Sequence, residues 1–205
     1  STVSPVTARK LAELHAQHGS IYLSAPVFGG PAAAASQELW ICLAGPRSAS
    51  ERVQPILKAL GQGIYDFGEE PGAANIVKLC GNFMSLAAME AIAEALTLAE
   101  KSGLDRSAVI DMLTRTIFTS PNYQRYGKMI AEKRHTPAGL RQTLGLKDVN
   151  LARETAESAQ MPMPLASLLH DRMLSGLAKG RGDMDWSALS LDVLEDAGLA
   201  IPPQS

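Results

Sequence analysis

The sequence predicts an α/β segment over residues 1–70, then an all-α region over residues 71–205, joined by one long helix. Three observations predict this. Strand-like apolar runs alternate with helical periods up to residues 68–71. Beyond Pro71, helix formers dominate and no alternating run recurs. Residues 72–102 then carry a helical apolar pattern too long for one small layer to cover.

In chain order, Ser4-Pro5 sets a capping hydroxyl before a first-turn proline and opens a helix with Val6, Leu11 and Leu14 that ends at Gly19. A strand follows over residues 21–27, closed by Gly29-Gly30. The run LWICL at residues 39–43 is continuously apolar, as in a strand covered on both faces. Ser48-Ala49-Ser50-Glu51 reads as a capping box ahead of Val53, Ile56, Leu57 and Leu60, with Gly61 as terminator. A third strand fits residues 63–67. Three strands with so few covering helices form an incomplete layer, and the missing part is expected upstream.

The helix over residues 72–102 is about 30 residues and roughly 45 Å long. It is apolar around much of its circumference, so burial, in part by a second subunit, is expected. Asp105 caps the next helix, with Val109, Ile110, Leu113 and Ile117. Ser120-Pro121 starts another that reaches Lys133, and further helices are expected over residues 146–159, 164–178 and 185–197. The boundary between the two regions falls at residues 68–71.

Composition narrows the function. The 205 residues are 46% hydrophobic and 20% charged, enough for a core without disulfides. With 19 Lys and Arg against 21 Asp and Glu, the formal charge is −2 and no basic block stands ready to neutralise phosphates, which argues against nucleic acid. No run of unbroken apolar residues reaches a membrane span's length of about 18 to 20, so no membrane partner is expected. A soluble, cytoplasmic chain follows as the expectation. Cys42 and Cys80 sit in apolar surroundings without CxxC spacing and are expected as two reduced, buried thiols.

Lys78 stands in GAANIVKLCGNFM, a segment otherwise small or apolar, with Asn82 one turn on along the same face. Apolar surroundings and a nearby helix N-terminus disfavour an ammonium, which moves a lysine toward acid and base work. Taken alone, its plain account is a snorkelling surface lysine. Ala25-Pro26-Val27-Phe28-Gly29-Gly30 places paired glycines at the carboxyl end of a strand, where open α/β sheets bind ligands; a simple turn is the competing account. Lys147-Asp148 reads alone as an ion pair at a helix start. His15 and His18 lack a third ligand, and Asp183 and Asp185 read as loop and N-cap carboxylates, so no metal site is expected.

In order along the chain, STVSP (residues 1–5), APVFGG (25–30), GAANIVKLCGN (72–82), GLKDVNLA (145–152) and GRGDMDWSAL (180–189) resemble the β-hydroxyacid dehydrogenase family. That family takes in 3-hydroxyisobutyrate dehydrogenases, tartronate semialdehyde and glyoxylate reductases, and relatives of 6-phosphogluconate dehydrogenase. The resemblance implies that residues 1–70 are the C-terminal part of a dinucleotide-binding Rossmann domain. Residues 71–205 would be a helical substrate and dimerisation domain like the C-terminal domain of 6-phosphogluconate dehydrogenase. The family's GxGxxG occurs nowhere in the chain, so the sequence is expected to lack the first half of the nucleotide-binding domain and to bind its cofactor weakly.

The resemblance further implies an NAD- or NADP-dependent interconversion of a small carbonyl compound, a hydroxy acid or semialdehyde, with its alcohol. Lys78 would be the catalytic lysine. Asn82 would orient the reacting oxygen or a neighbouring carboxylate, and Phe28, Gly29 and Gly30 would line the substrate's acid end. Ser1-Thr2 would lie in the loop after a central strand, with Thr2 near the nicotinamide ribose, and Lys147 would reach the cofactor. A homodimer or a dimer-based tetramer is implied.

Two positions depart from the family's D-x-P-V-S-G-G: Ser24 replaces the acid, and Phe28 replaces a serine. Phe28 removes a hydroxyl donor and adds apolar surface, which leaves open a bulkier or less acidic carbonyl substrate. Two other readings also stay open. One is a non-catalytic dimerisation fragment, which cofactor titration combined with light scattering would separate. The other is an imine reductase-like enzyme, separable by comparing imine with carbonyl substrates.

Overall fold

A computed structural model describes residues 2–201 of the chain, so the expectation for Ser1 lies outside the described residues. Helix α1 covers Pro5–Gln17, and the Ser4 hydroxyl accepts from the Thr7 N–H at 3.0 Å, as the Ser-Pro start predicts. Gly19 ends it at φ +67°. The expected strand over residues 21–27 is mostly extended chain without a ladder. Only β1, Val27–Phe28, pairs as a strand, antiparallel to β2, Leu39–Leu43, with an isolated bridge from Ser24 to Ala44. A five-residue helix α2, Pro31–Ala35, follows Gly30.

β2 pairs in parallel with β3, Gly61–Asp66, through the crossover helix α3, Arg47–Lys58. The sheet order is β1-β2-β3. The capping box expected at residues 48–51 does not form. The helix starts earlier, behind Pro46, and Ser50 donates to the Arg47 carbonyl at 2.9 Å. Glu51 accepts from Arg47 at 3.0 Å as an i,i+4 pair instead. Gly61 opens β3 rather than ending α3.

Helix α4, Ala73–Lys101, has 29 residues. The chain divides into two units: one built of residues up to Asn82 with Leu151–Pro162, the other of Phe83–Asn150 with residues from Met163 on. In the first unit, Cys42, Ala44 and Ala74 form a buried cluster against which Phe28, Ala73 and Val77 pack. Cys42 is buried as expected, whereas Cys80 is exposed.

The second unit is helical, with α5 Arg106–Thr116, α6 Pro121–Ala131, α7 Gln142–Ser158 as far as Asn150, α8 Pro164–Ala178 and α9 Leu189–Asp196. Asp105 accepts from the Ser107 and Ala108 N–H groups, the cap its position predicts. α7 begins four residues before the expected 146, so Lys147 and Asp148 lie inside it rather than at its start. Leu86, Met89, Ile92, Leu96, Leu169 and Leu189 make the core. By length and composition α4 is apolar enough to cross a bilayer, but its Leu86, Met89 and Leu96 are fully inside the protein.

Polar groups fix the second unit's last third. The Asp185 carboxylate is buried, caps the turn Trp186–Ala188 through the Ser187 N–H at 3.0 Å, and accepts from the Gly139 N–H at 2.9 Å. Asp183 is exposed and pairs with Arg141. Trp186 donates to the Tyr126 hydroxyl at 2.8 Å. Asp192, fully buried on α9, pairs with Lys179 at 2.7 Å and Arg181 at 3.1 Å. His135 is fully buried against Ser187 and Ser190; loss of solvent on burial holds its ring well below the ordinary histidine value, to about 4.

Candidate active site

Asn75, Lys78 and Asn82 fall at i, i+3 and i+7 on α4, which puts all three on one face. Asn75 and Asn82 are buried, and Lys78 is half-buried. Ser24 approaches from the extended chain before β1, where its backbone exchanges two hydrogen bonds with Ala44 at 2.9 Å each. Its hydroxyl donates to the Asn75 side-chain oxygen, and the Asn75 nitrogen donates to the Val3 carbonyl at 3.3 Å. Three chain segments are thereby tied together at the first turn of α4. The buried amide is satisfied at both ends, as burial of a polar group requires.

A cleft of about 360 Å³ opens beside this junction. Thr2 and Val3 line it together with Tyr22, Ser24, Ala25, Pro26, Val27, Asn75 and Lys78. Such a volume lies in the range of small-molecule sites, and the mixture of apolar wall and a few converging polar groups is the usual composition. Lys78 is the one cation among the lining residues. Its Nζ lies 4.3 Å from the centroid of the Phe28 ring. The ring packs onto α4 at Gly81, where any Cβ would collide with it. Burial pushes the Cys42 thiol up from its ordinary value, and the positive charge of Lys78 partly opposes that.

The structure brings Thr2, Phe28, Lys78 and Asn82 into the first unit. Thr2 and Lys78 line the cleft, Phe28 lies against Lys78, and Asn82 stands one turn further along α4. Gly29 and Gly30 lie in the turn between β1 and α2 and do not line the cleft. Gly29 has φ +127°, and a Cβ there would stand 2.8 Å from the Leu39 Cδ2, so its glycine is a requirement of the turn. Lys147 belongs to the second unit, where it pairs with the buried Asp148 at 2.9 Å. Among the described residues no three His, Cys, Asp or Glu side chains come together as a metal site.

Sequence reasoning passed over Asn75 and Tyr22. Asn75 carried a usable signal, since it precedes Lys78 by three residues and so shares its helix face. Tyr22 carried none, because a tyrosine in an expected strand reads as sheet packing.

Residues 1–69 match the family model of the NAD binding domain of 6-phosphogluconate dehydrogenase. Residues 72–191 match the model described as NAD-binding of NADP-dependent 3-hydroxyisobutyrate dehydrogenase. An uncharacterized oxidoreductase of Bacillus subtilis (strain 168), YfjR, is 42% identical over 92% of this chain and 66% of its own length. An L-threonate dehydrogenase of Haemophilus influenzae is 32% identical over 90% of this chain and 60% of its own. The chain therefore spans between three fifths and two thirds of those curated relatives. The crystal structure of a 3-hydroxyisobutyrate dehydrogenase from Salmonella typhimurium superposes with a TM-score of 0.86 at 28% identity, covering 94% of this chain and 67% of that one. The two models in succession, one of them matching more than half of the residues, show that the chain belongs to the β-hydroxyacid dehydrogenase family.

Proposed function

We propose that this chain serves an NAD- or NADP-dependent oxidoreductase that interconverts a small carbonyl compound, of hydroxy acid or semialdehyde type, with its alcohol. The observation that carries the reading is the half-buried Lys78 on the wall of a substrate-sized cleft. A dinucleotide's nicotinamide end fits the groups present: the Thr2 and Tyr22 side chains are hydroxyl-bearing, and Val3, Ala25, Pro26 and Val27 are apolar. NAD or NADP, when bound, supplies the hydride acceptor or donor.

In this reading the chain's own residues handle the proton. In reduction, the carbonyl oxygen takes a proton from Lys78 Nζ as its carbon is reduced; in oxidation, the alcohol's proton returns to that nitrogen. Asn82 orients the same oxygen or an adjacent carboxylate, Thr2 holds the cofactor, and Gly29 and Gly30, outside the cleft lining, present backbone N–H groups to the part of the substrate that extends beyond it. A homodimer or dimer-based tetramer in the cytoplasm completes the proposal.

The test is turnover of NADH and NADPH by the protein expressed with whatever coding sequence precedes Ser1, over hydroxy acids, semialdehydes, neutral carbonyls and imines. Oxidation of either cofactor with a carbonyl compound is the expected result. Turnover of imines alone, or tight dimers that bind no cofactor, would overturn the proposal.

A further inference from the structure

Phe28 is held by backbone pairing and by packing. Its backbone pairs with Trp40 across β1 and β2, and its side chain packs against the buried cluster of Cys42, Ala44 and Ala74. Gly81 leaves the gap on α4 that the ring fills; a methyl group there would collide with the ring's Cζ and Cε1. The Lys78 ammonium stands over the ring, 4.3 Å from its centroid.

A lysine carries its charge on a flexible four-carbon stem and loses considerable rotamer freedom when held in one place. The negative face of an aromatic ring attracts a cation within about 6 Å, and the attraction strengthens as water is excluded. A packed ring beneath the ammonium of the half-buried Lys78 therefore restricts where that nitrogen goes, without consuming its N–H donors. From this we infer that Phe28 is a positioning residue for Lys78, its ring face holding the ammonium at the cleft and Gly81 admitting the ring. The inference rests on the acid/base reading of Lys78 for its functional consequence, but not for the contact itself. Phe28 thus acts through the lysine rather than by touching the substrate.

Two readouts test this, one of them independent of turnover. In the 205-residue chain, the ring current of Phe28 should move the Lys78 ε-methylene proton resonances upfield, assigned by their loss in Lys78→Arg. The displacement should vanish in Phe28→Leu and shrink in Gly81→Ala, where the ring is forced aside. In the turnover assay, Phe28→Leu should lower kcat about three-fold, the scale of one partly exposed cation–π contact, with the carbonyl substrate's KM unchanged. Replacing Phe28 by mono-, di- and trifluorophenylalanine should lower kcat stepwise at constant shape. Phe28→Tyr, which keeps the ring face, should recover most of what Phe28→Leu loses.

An undisplaced Lys78 resonance in the unsubstituted protein would overturn the inference, as would a Phe28→Leu variant that raises KM at unchanged kcat. If Lys78→Ala keeps turnover while the upfield resonance is present, the acid/base reading fails and the contact stands. If Lys78→Ala abolishes turnover while the fluorinated series is flat, the role of Phe28 alone fails.

Discussion

Asn75 is held by Ser24 from one side and holds Val3 on the other, the Ser24 hydroxyl donating to its oxygen and its nitrogen donating to the Val3 carbonyl at 3.3 Å. This junction lies one turn before Lys78 and forms part of the cleft wall. It makes the first turn of α4 a fixed reference for the lysine.

Truncation at the junction tests how firmly it is built. Asn75→Ala leaves the buried Ser24 hydroxyl and the Val3 carbonyl without their partner, and the expected loss is about 1–3 kcal/mol. Urea denaturation measures it. A double-mutant cycle with Ser24→Ala should return a coupling of at least about 0.5 kcal/mol, because the two side chains share one buried bond.

Stability should fall with pH through His135. Its folded-state value, about 4, lies below that of an unfolded chain, so the folded form stays neutral where the unfolded form already binds a proton. The contribution is complete above the ordinary histidine value of about 6.5 and is lost as pH falls from there to about 4. Its size is about 3 kcal/mol, since the side chain is fully buried. His135→Gln should flatten the fall in unfolding free energy over that window.

A second buried pair gives a pH effect of opposite sense. Burial raises the Glu90 carboxyl above its ordinary value, opposed by Arg172, which contacts it at 3.0 Å. Arg172→Met strands the carboxylate and should cost about 3–5 kcal/mol at neutral pH. A carboxyl held above its unfolded value favours the folded state at low pH and loses that contribution as pH rises. Part of the Arg172→Met loss should therefore be regained on acidification, as denaturation at two pH values would register.

The two glycines after β1 should separate a structural role from a functional one. Gly29→Ala meets both a positive φ and the Leu39 side chain, and should lower stability by about 1–3 kcal/mol. Gly30 is in ordinary extended conformation at φ −88° and ψ −173°, so Gly30→Ala brings no backbone strain and should cost less stability than Gly29→Ala. Loss of turnover in that second variant beyond its loss of stability would then bear on how closely the substrate approaches the backbone there.

Local chemistry announced most of the helices. Ser4 and Asp105 cap where a side-chain oxygen before an amphipathic run should, and α4 has nearly the length its unbroken apolar period implies. The first strand was less legible. Residues 21–26 have strand-like side chains, but ladder pairing needs a partner, and among the described residues only Val27–Phe28 and the Ser24 bridge have one. At residues 48–51, Pro46 fixed the start of α3 before the serines could cap it. Within the site, Lys78 and Asn82 were legible from spacing. The Ser24–Asn75 bond and the seat of Phe28 on Gly81 were not, because both join residues about fifty positions apart.

The most direct measurement is kcat for Lys78→Met, a substitution of similar length without the amine, in the protein together with any coding sequence upstream of Ser1. If Lys78 passes the proton, kcat should fall by about 10²- to 10⁴-fold while the unfolding midpoint stays close to that of the unsubstituted protein. A kcat equal to that of the unsubstituted protein, at equal stability, would contradict the account.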